Sequence, residues 1–249
     1  MRSLHLVTRA IAWLAAAGAL VLVAAAGYYA NEIRMARDAT PSLVADISGR
    51  VGPAQLKLSD LSGDRIDMLL AVEDPTFYRH HGVDLETPGA GMTTITQALV
   101  KLIYFPGGFK QGVAKIRQTL IAQYALDPLV SKRDQLQLFL NICYLGSKNG
   151  QPVYGYAAAA QAYFGKPFAE LTDAEFLSLI AMHIGPNHLK PGTPESAERL
   201  QRIHAYLSHN YRPASLLDVE YNGKQHGTPA EEALMSLLRL VTDARPARK

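Results

Sequence analysis

The sequence predicts a mostly α-helical domain behind a single N-terminal transmembrane helix. An uncharged apolar run covers residues 10 to 30, which is long enough for a membrane span. Downstream, apolar residues recur at helical spacing and no stretch shows the alternation of a strand. With 249 residues, of which 48% are hydrophobic and 19% charged, the chain can bury one core of moderate size.

Charge and cysteine usage exclude two classes of protein. The formal net charge of +3 is small and spread along the chain, which argues against nucleic acid as a partner. Cys143 is the only cysteine, so no intramolecular disulfide scaffold is available. The cysteine count leaves the redox compartment open.

The apolar run reads AIAWLAAAGALVLVAAAGYYA and can cross a hydrocarbon core of about 30 Å as a helix. Basic residues precede it and aromatic residues lie near its ends: Arg2, His5, Arg9, Trp13, Tyr28 and Tyr29. Residues 1–30 are therefore predicted to form a cytoplasmic basic end and an anchor, with the remaining chain exported. A cleaved signal peptide is the alternative, because Ala24–Ala26 resembles a cleavage site.

The exported part divides into three predicted segments. Charges, prolines and glycines in residues 31–57 indicate a stalk, residues 58–210 a helical domain, and residues 211–249 a C-terminal extension with one helix and a basic tail. One predicted helix ends at Glu73, and the next begins at Thr93 or Thr94. Four later helix starts are indicated by capping patterns, at Ser131, Thr172, Thr193 and Thr228.

Glu73 is the first candidate for acid–base chemistry. Its carboxyl group lies at the negative end of a helix and beside Asp74, and both neighbours disfavour its ionised form. The sequence therefore predicts a raised pKa, which suits a general base or acid. The alternative is that the acidic pair only ends a helix in water.

A glycine-rich loop at Gly89–Gly91 opens the next helix. Free backbone N–H groups and the helix dipole favour an anion at such an N-terminus. Thr94, Gln97 and Lys101 are spaced to lie along one face of this helix. The segment is therefore a candidate phosphate site, or alternatively a turn capped by threonine.

These residues resemble glycosyltransferase family 51, the peptidoglycan glycosyltransferases. The family motif EDxxFxxHxG is met at Glu73, Asp74, Phe77, His80 and Gly82. The motif GGSTITQQxxK is met at Gly91, Thr94, Ile95, Thr96, Gln97 and Lys101. Later segments, FLNICYLG and YFGK among them, also resemble the family, so the resemblance covers about residues 58 to 203.

The resemblance implies a lysozyme-like helical fold that polymerises lipid II into glycan strands and releases undecaprenyl pyrophosphate. It implies Glu73 as the base, Lys101 and Lys115 as pyrophosphate ligands, and further substrate-binding residues: Asp74, Phe77, His80, Thr94 and Gln97. It also implies an inner-membrane protein with a periplasmic domain, in contact with the growing glycan strand and other cell-wall synthesis proteins. No residue pattern predicts a metal site, and the resemblance leaves Mg or Mn open as a cofactor.

Two departures from the family bear on activity. Gln118 stands where the third motif, RKxxE, places a second catalytic glutamate, and Ala114 replaces its arginine, a charge that nearby Arg117 is a candidate to supply. The segment 83–90 between the first two motifs is shorter than in the family, which predicts a truncated mobile lip. These departures motivate an alternative, a weakened or inactive member that binds glycan or lipid II as a scaffold. A third reading is a lysozyme-like hydrolase.

Overall fold

A computed structural model describes residues 2–51, 55–110 and 112–247. The predicted stalk residues Gly52 and Pro53 and the tail residues Arg248 and Lys249 lie outside these ranges. The α-helices of nine residues or more are α1 (Arg2–Val51), α2 (Gly63–Glu73), α3 (Ile95–Tyr104), α4 (Val113–Ile121), α5 (Lys132–Ile142), α6 (Tyr156–Phe164), α7 (Asp173–Ala181), α8 (Pro194–Leu207) and α9 (Pro229–Val241). The prediction of a mostly helical protein with one long apolar N-terminal helix is confirmed.

The predicted helix starts are confirmed. The hydroxyl of Thr94 accepts a hydrogen bond from the backbone N–H of Gln97, which is three residues into α3. The other predicted caps accept from the corresponding N–H groups of α5, α7, α8 and α9: Ser131, Thr172, Thr193 and Thr228. Each cap satisfies a donor that the helix cannot satisfy itself, which is why these positions could be read from the sequence.

A small antiparallel hairpin was not predicted. Strands β1 (Tyr144–Lys148) and β2 (Gln151–Tyr154) are joined by Asn149–Gly150. Both turn residues have positive φ, 52° and 77°, as the tight hairpin turn requires. The apolar run LQLFLNICYL after Ser131 predicts a helix that includes Cys143, which is wrong, because α5 ends at Ile142 and Cys143 is extended.

The N-terminal helix is one continuous element of 50 residues. Its N-terminal half, the upper part, exposes apolar side chains, for example Leu22 at 72% and Val23 at 70%, and the helix is long and apolar enough to cross a membrane. Its C-terminal half, the lower part, packs on the domain, where Ala36 and Thr40 are buried. Thr40 Oγ1 lies 2.6 Å from the hydroxyl of Tyr104 in α3.

The segment predicted as a separate stalk therefore packs against the domain as far as the structure describes it. Its charges suggested a solvated linker, but the charged residues of the helical part, apart from Glu32, lie on the exposed face of a helix. Arg34 pairs with Asp38 and Arg50 with Asp46, each one turn apart. Pro41 lies inside the helix without ending it.

Helix α3 occupies the centre of the domain and packs against α4 and α5. Its inner face is fully buried at Leu99 and Val100. A π-helical turn, Ala122–Leu126, continues α4 and is almost entirely buried. On the other side of the domain, α7 packs between α2 and α8. This arrangement fixes the end of α2 and the start of α3, which carry the first two motifs.

The C-terminal extension folds back onto the segment 83–90. Val83 and Leu85 are fully buried, and the backbone N–H of Leu85 donates to the carbonyl of Ala244 at 3.1 Å. Arg239 in α9 donates to the carbonyl of Leu85 at 2.8 Å. The short segment is therefore covered by the extension.

Candidate active site

Glu73 is the last residue of α2, as predicted. The residue as a whole is half-buried, but protein atoms crowd its carboxyl group. Burial raises the pKa of Glu73 to about 8, while the charge of Arg199 opposes the rise and Asp74 adds to it. The sequence also predicts a raised pKa for Glu73. Burial contributes more to this rise than the charge of Asp74 does.

Asp74 and His80 form a buried pair beneath Glu73, each with 1% of its surface exposed. The Nε2 atom of His80 lies 3.0 Å from both carboxylate oxygens of Asp74. The same carboxylate accepts a hydrogen bond from the backbone N–H of Ile95 at 2.9 Å, at the start of α3. Asp74 therefore ties the C-terminal end of α2 to the N-terminus of α3.

Phe77, Thr94 and Gln97 are buried as well, with 1%, 2% and 0% of their surfaces exposed. Thr94 and Gln97 form a capping box, and the Oγ1 atom of Thr94 also donates to the carbonyl of Gly82 at 2.7 Å. Asp74 and His80 are buried in the same way, and these side chains position the first two motifs. The expected role of the five residues in substrate binding stays a prediction.

A cavity of about 400 Å³ lies between α3, α4 and the C-terminal extension. Lys101, Lys115 and Gln118 line it together with Thr93. The ammonium group of Lys115 donates to Thr93 Oγ1 at 3.0 Å. Burial, with a smaller contribution from Lys101, lowers the pKa of Lys115 to about 7. The structure thus brings the two predicted pyrophosphate ligands and Gln118 to one cavity.

Lys101 also connects this cavity to the surroundings of Glu73. It lines a second cavity of about 580 Å³, whose wall includes Cys143, Phe139 and His183. Burial and then the charge of Glu73 raise the pKa of the Cys143 thiol, which places that thiol near the Glu73 carboxyl. Lys101 therefore lines the same cavity as Cys143, the thiol on which the charge of Glu73 acts, whereas Glu73 itself is not among the lining residues.

Gln118 is 1% exposed and faces the cavity from α4. Its Nε2 donates to the carbonyl of Gln97 at 2.6 Å, while its Oε1 is buried without a hydrogen-bond partner among the described residues. Arg117 does not supply charge here, in contrast to the sequence expectation. It forms an ion pair with Glu32 of α1, and its guanidinium lies 5.1 Å from the centre of the Phe105 ring.

Comparison with known proteins gives the same family as the motifs. The family model described as Transglycosylase matches residues 42–210. The chain belongs to the transglycosylase family. The match begins inside α1 and ends where the C-terminal extension begins.

Penicillin-binding protein 1A of Haemophilus influenzae is 35% identical over 159 residues, which cover 57% of this chain and 18% of that protein. The protein of the same name from Vibrio cholerae is 34% identical over 149 residues, 55% of this chain and 17% of that protein. That from Streptococcus oralis is 27% identical over 215 residues, 80% of this chain and 32% of that protein. The chain thus spans less than a third of the length of these relatives.

The transglycosylase site contains residues that sequence reasoning missed. Arg199 in α8 is 3% exposed, and its Nε and Nη1 atoms have no hydrogen-bond partner among the described residues. Its guanidinium lies 4.7 Å from the centre of the Tyr221 ring, which belongs to the extension. Arg199 is far from Glu73 in the sequence and follows no short motif, so only the folded structure could assign it to the site.

The donor set of the transglycosylase cavity does not fit a divalent cation. Its wall carries Lys101 and Lys115, whose positive charges repel a metal ion, and an uncharged amide at Gln118. Glu231 also lines the cavity, but one of its carboxylate oxygens accepts hydrogen bonds from Thr228. We therefore derive no catalytic step through Mg or Mn.

Proposed function

We propose that this transglycosylase is a membrane-anchored peptidoglycan glycosyltransferase that polymerises lipid II into glycan strands. The observation that carries the proposal is the carboxyl of Glu73, whose pKa is about 8 and whose charge acts on Cys143, a residue that lines a cavity together with Lys101. A base and a cation in this arrangement suit the attack of a sugar hydroxyl on a glycosyl pyrophosphate.

In the proposed reaction, Glu73 takes the proton from the 4-hydroxyl of the acceptor sugar. The oxygen attacks the anomeric carbon of the donor, and the bond from that carbon to the pyrophosphate oxygen breaks. Undecaprenyl pyrophosphate leaves with the electron pair of this bond. Lys101 and Lys115 stabilise its negative charge.

The proposal places α1 across the cytoplasmic membrane and the domain on the periplasmic side, because Arg2, His5 and Arg9 precede the apolar run. The long exposed apolar surface of α1 supports a membrane span. The packing of the lower part of α1 on the domain holds the site at a fixed height above the bilayer, where a lipid-linked substrate can reach it. Other cell-wall synthesis proteins are proposed partners.

The test measures polymerisation of purified lipid II by the full-length protein in detergent, beside Glu73→Gln. Glutamine keeps the shape of the side chain but cannot accept a proton near neutral pH, so we expect activity to fall at least about 100-fold. Glu195→Gln, which changes an exposed glutamate at the start of α8, is the control and should remain active. Full activity in Glu73→Gln would disprove the proposed base.

The alternative, a scaffold that binds glycan or lipid II without polymerising it, rests on Gln118. We expect Gln118→Glu to increase polymerisation, because a carboxylate beside Lys115 raises the charge of that lysine and restores the second acid. The same change removes the hydrogen bond to Gln97 and should lower the free energy of unfolding by about 1–3 kcal/mol. An inactive wild type that retains lipid II binding, with no activity in Gln118→Glu, would favour the scaffold. Digestion of finished sacculi would favour a hydrolase.

A further inference from the structure

The C-terminal extension builds one wall of the cavity that contains Lys115. Residues from the second family motif and α4 line one side of the cavity, together with Phe109, and residues of the extension line the other: Leu217, Val219, Lys224, Glu231 and Leu234. The family match ends at residue 210, so this wall lies beyond the matched domain. Lys224 is its only lysine or arginine among the described lining residues.

The extension is fixed to the glycine-rich loop by backbone contacts. The N–H of Gly91 donates to the carbonyl of Leu216 at 2.8 Å, and the N–H of Gly89 donates to the carbonyl of Ser215 at 2.8 Å. A Cβ atom on Gly91 would lie 2.8 Å from Val219 Cγ1, so the glycine-rich loop and the extension are in close contact. The wall is therefore tied directly to the second family motif.

The backbone of Lys224 is held by the loop that precedes it. Asp218 is fully buried, and its Oδ1 accepts hydrogen bonds from the backbone N–H groups of Asn222 at 2.9 Å and Gly223 at 3.1 Å. The hydroxyl of Ser215 donates to the carbonyl of Lys224 at 2.7 Å. These hydrogen bonds fix the backbone from which the Lys224 side chain extends. Lys224 itself is exposed and borders the cavity.

A diphosphate bound in this cavity would require positive charge, which the other lining residues supply only in part. Lys115 is partly neutral near pH 7, and Arg117 is engaged with Glu32. Ala114 stands where the family motif has arginine. Of the lining lysines, Lys101 and Lys224 are exposed, whereas Lys115 is buried. Glu231 is the acidic group on this wall, and Thr228 already occupies one of its oxygens.

We propose that Lys224 is a further substrate-binding residue, whose ammonium group contacts the diphosphate of the lipid-linked substrate from the side opposite Lys115. The extension thus contributes a cation to the anion site that the matched domain alone does not supply. The inference rests on the proposed function for the identity of the diphosphate. Its core, an anion contact at Lys224, is testable without turnover.

The first measurement is binding of inorganic pyrophosphate to the detergent-solubilised full-length protein by calorimetry. Lys224→Met removes the charge and keeps the side-chain length, and we expect binding to weaken about 3- to 10-fold. Lys224→Arg should bind close to the wild type. The matched control is Lys57→Met, which removes an exposed lysine that does not line this cavity and should bind as the wild type does. Thermal unfolding of each variant checks that the fold is retained.

The second measurement is the KM for lipid II in the polymerisation assay, which should rise in Lys224→Met more than kcat falls. Pyrophosphate binding in Lys224→Met equal to that in Lys57→Met overturns the proposal, as does a wild type that binds no pyrophosphate. If the protein polymerises lipid II and Lys224→Met has the KM and kcat of the wild type, the proposed function stands and Lys224 has no part in it. Weakened pyrophosphate binding in a protein that does not polymerise lipid II keeps the anion contact and rejects the function.

Discussion

At the scale of single residues, the environment of Glu73 combines two opposing effects. Burial disfavours the charged carboxyl, and the nearby guanidinium of Arg199 favours it. Arg199 is itself buried, so its charge is poorly screened by water and acts strongly on its neighbour. Arg199 is therefore a positioning residue that keeps the pKa of the proposed base from rising further.

This arrangement predicts a pH shift in Arg199→Met. The proposed base must be deprotonated to act, so activity rises with pH through the pKa of Glu73, about 8 in the wild type. Removing the guanidinium raises that pKa, and we expect the rise in kcat/KM to move about one unit to higher pH. The measurement is kcat/KM at pH values between 6 and 10 at which the protein stays folded.

Arg202→Met is the control for this prediction. Arg202 lies one turn further along α8 and pairs with Glu198 of the same helix. It is not among the groups that shift the pKa of Glu73. The same pH profile in both variants would contradict the assigned effect of Arg199.

At the scale of elements, the first turn of α3 links the two leading motifs. Asp74 and the capping box of Thr94 and Gln97 satisfy its backbone N–H groups from within the protein. The hydroxyl of Thr94 also bonds to Gly82 at the end of the first motif. Because these groups are buried, no water can replace a lost bond.

Thr94→Ala should therefore destabilise the protein more than the same change at an exposed cap. We expect a loss of about 2–3 kcal/mol in the free energy of unfolding, from the lost cap and the unsatisfied Gly82 carbonyl. Thr172→Ala removes an exposed capping box at α7 and should cost about 1 kcal/mol. Urea unfolding of both variants makes the comparison, and equal losses would argue against the buried linkage.

At the scale of the whole molecule, the N-terminal and C-terminal segments both pack on the matched domain. The lower part of α1 reaches the domain through Thr40 and through Arg37, which donates to the carbonyl of Tyr124 at 2.6 Å. The extension covers Leu85 and borders the Lys115 cavity. The domain therefore packs against both the segment predicted as a stalk and the predicted C-terminal extension.

A truncation after Asn210 tests the structural part of the extension. It exposes Val83 and Leu85 to water, at a cost of about 1.5–3 kcal/mol for each side chain, so we expect a much lower Tm or aggregation. A truncation after Ala247 keeps the contacts of the extension described above and is the control. Equal Tm values in the two truncated proteins would show that the extension adds no stability.

The sequence by itself determined the helical class, the helix starts, the end of α2 at Glu73 and the family. These features depend on local rules or on residues at fixed spacing, such as a threonine that caps its own helix or the run EDPTFYRHHG. Local patterns also misled at Cys143, where a hairpin follows the helix without an alternating strand pattern.

Only the tertiary structure decided which motif residues border a cavity. Lys101 and Lys115 do so, whereas Asp74, Phe77, His80, Thr94 and Gln97 are buried inside the fold. It also brought Arg199 and Lys224 to the site from distant parts of the chain. The physical reason is that burial and long-range contacts depend on how helices pack, and a sequence pattern reports only neighbours along the chain.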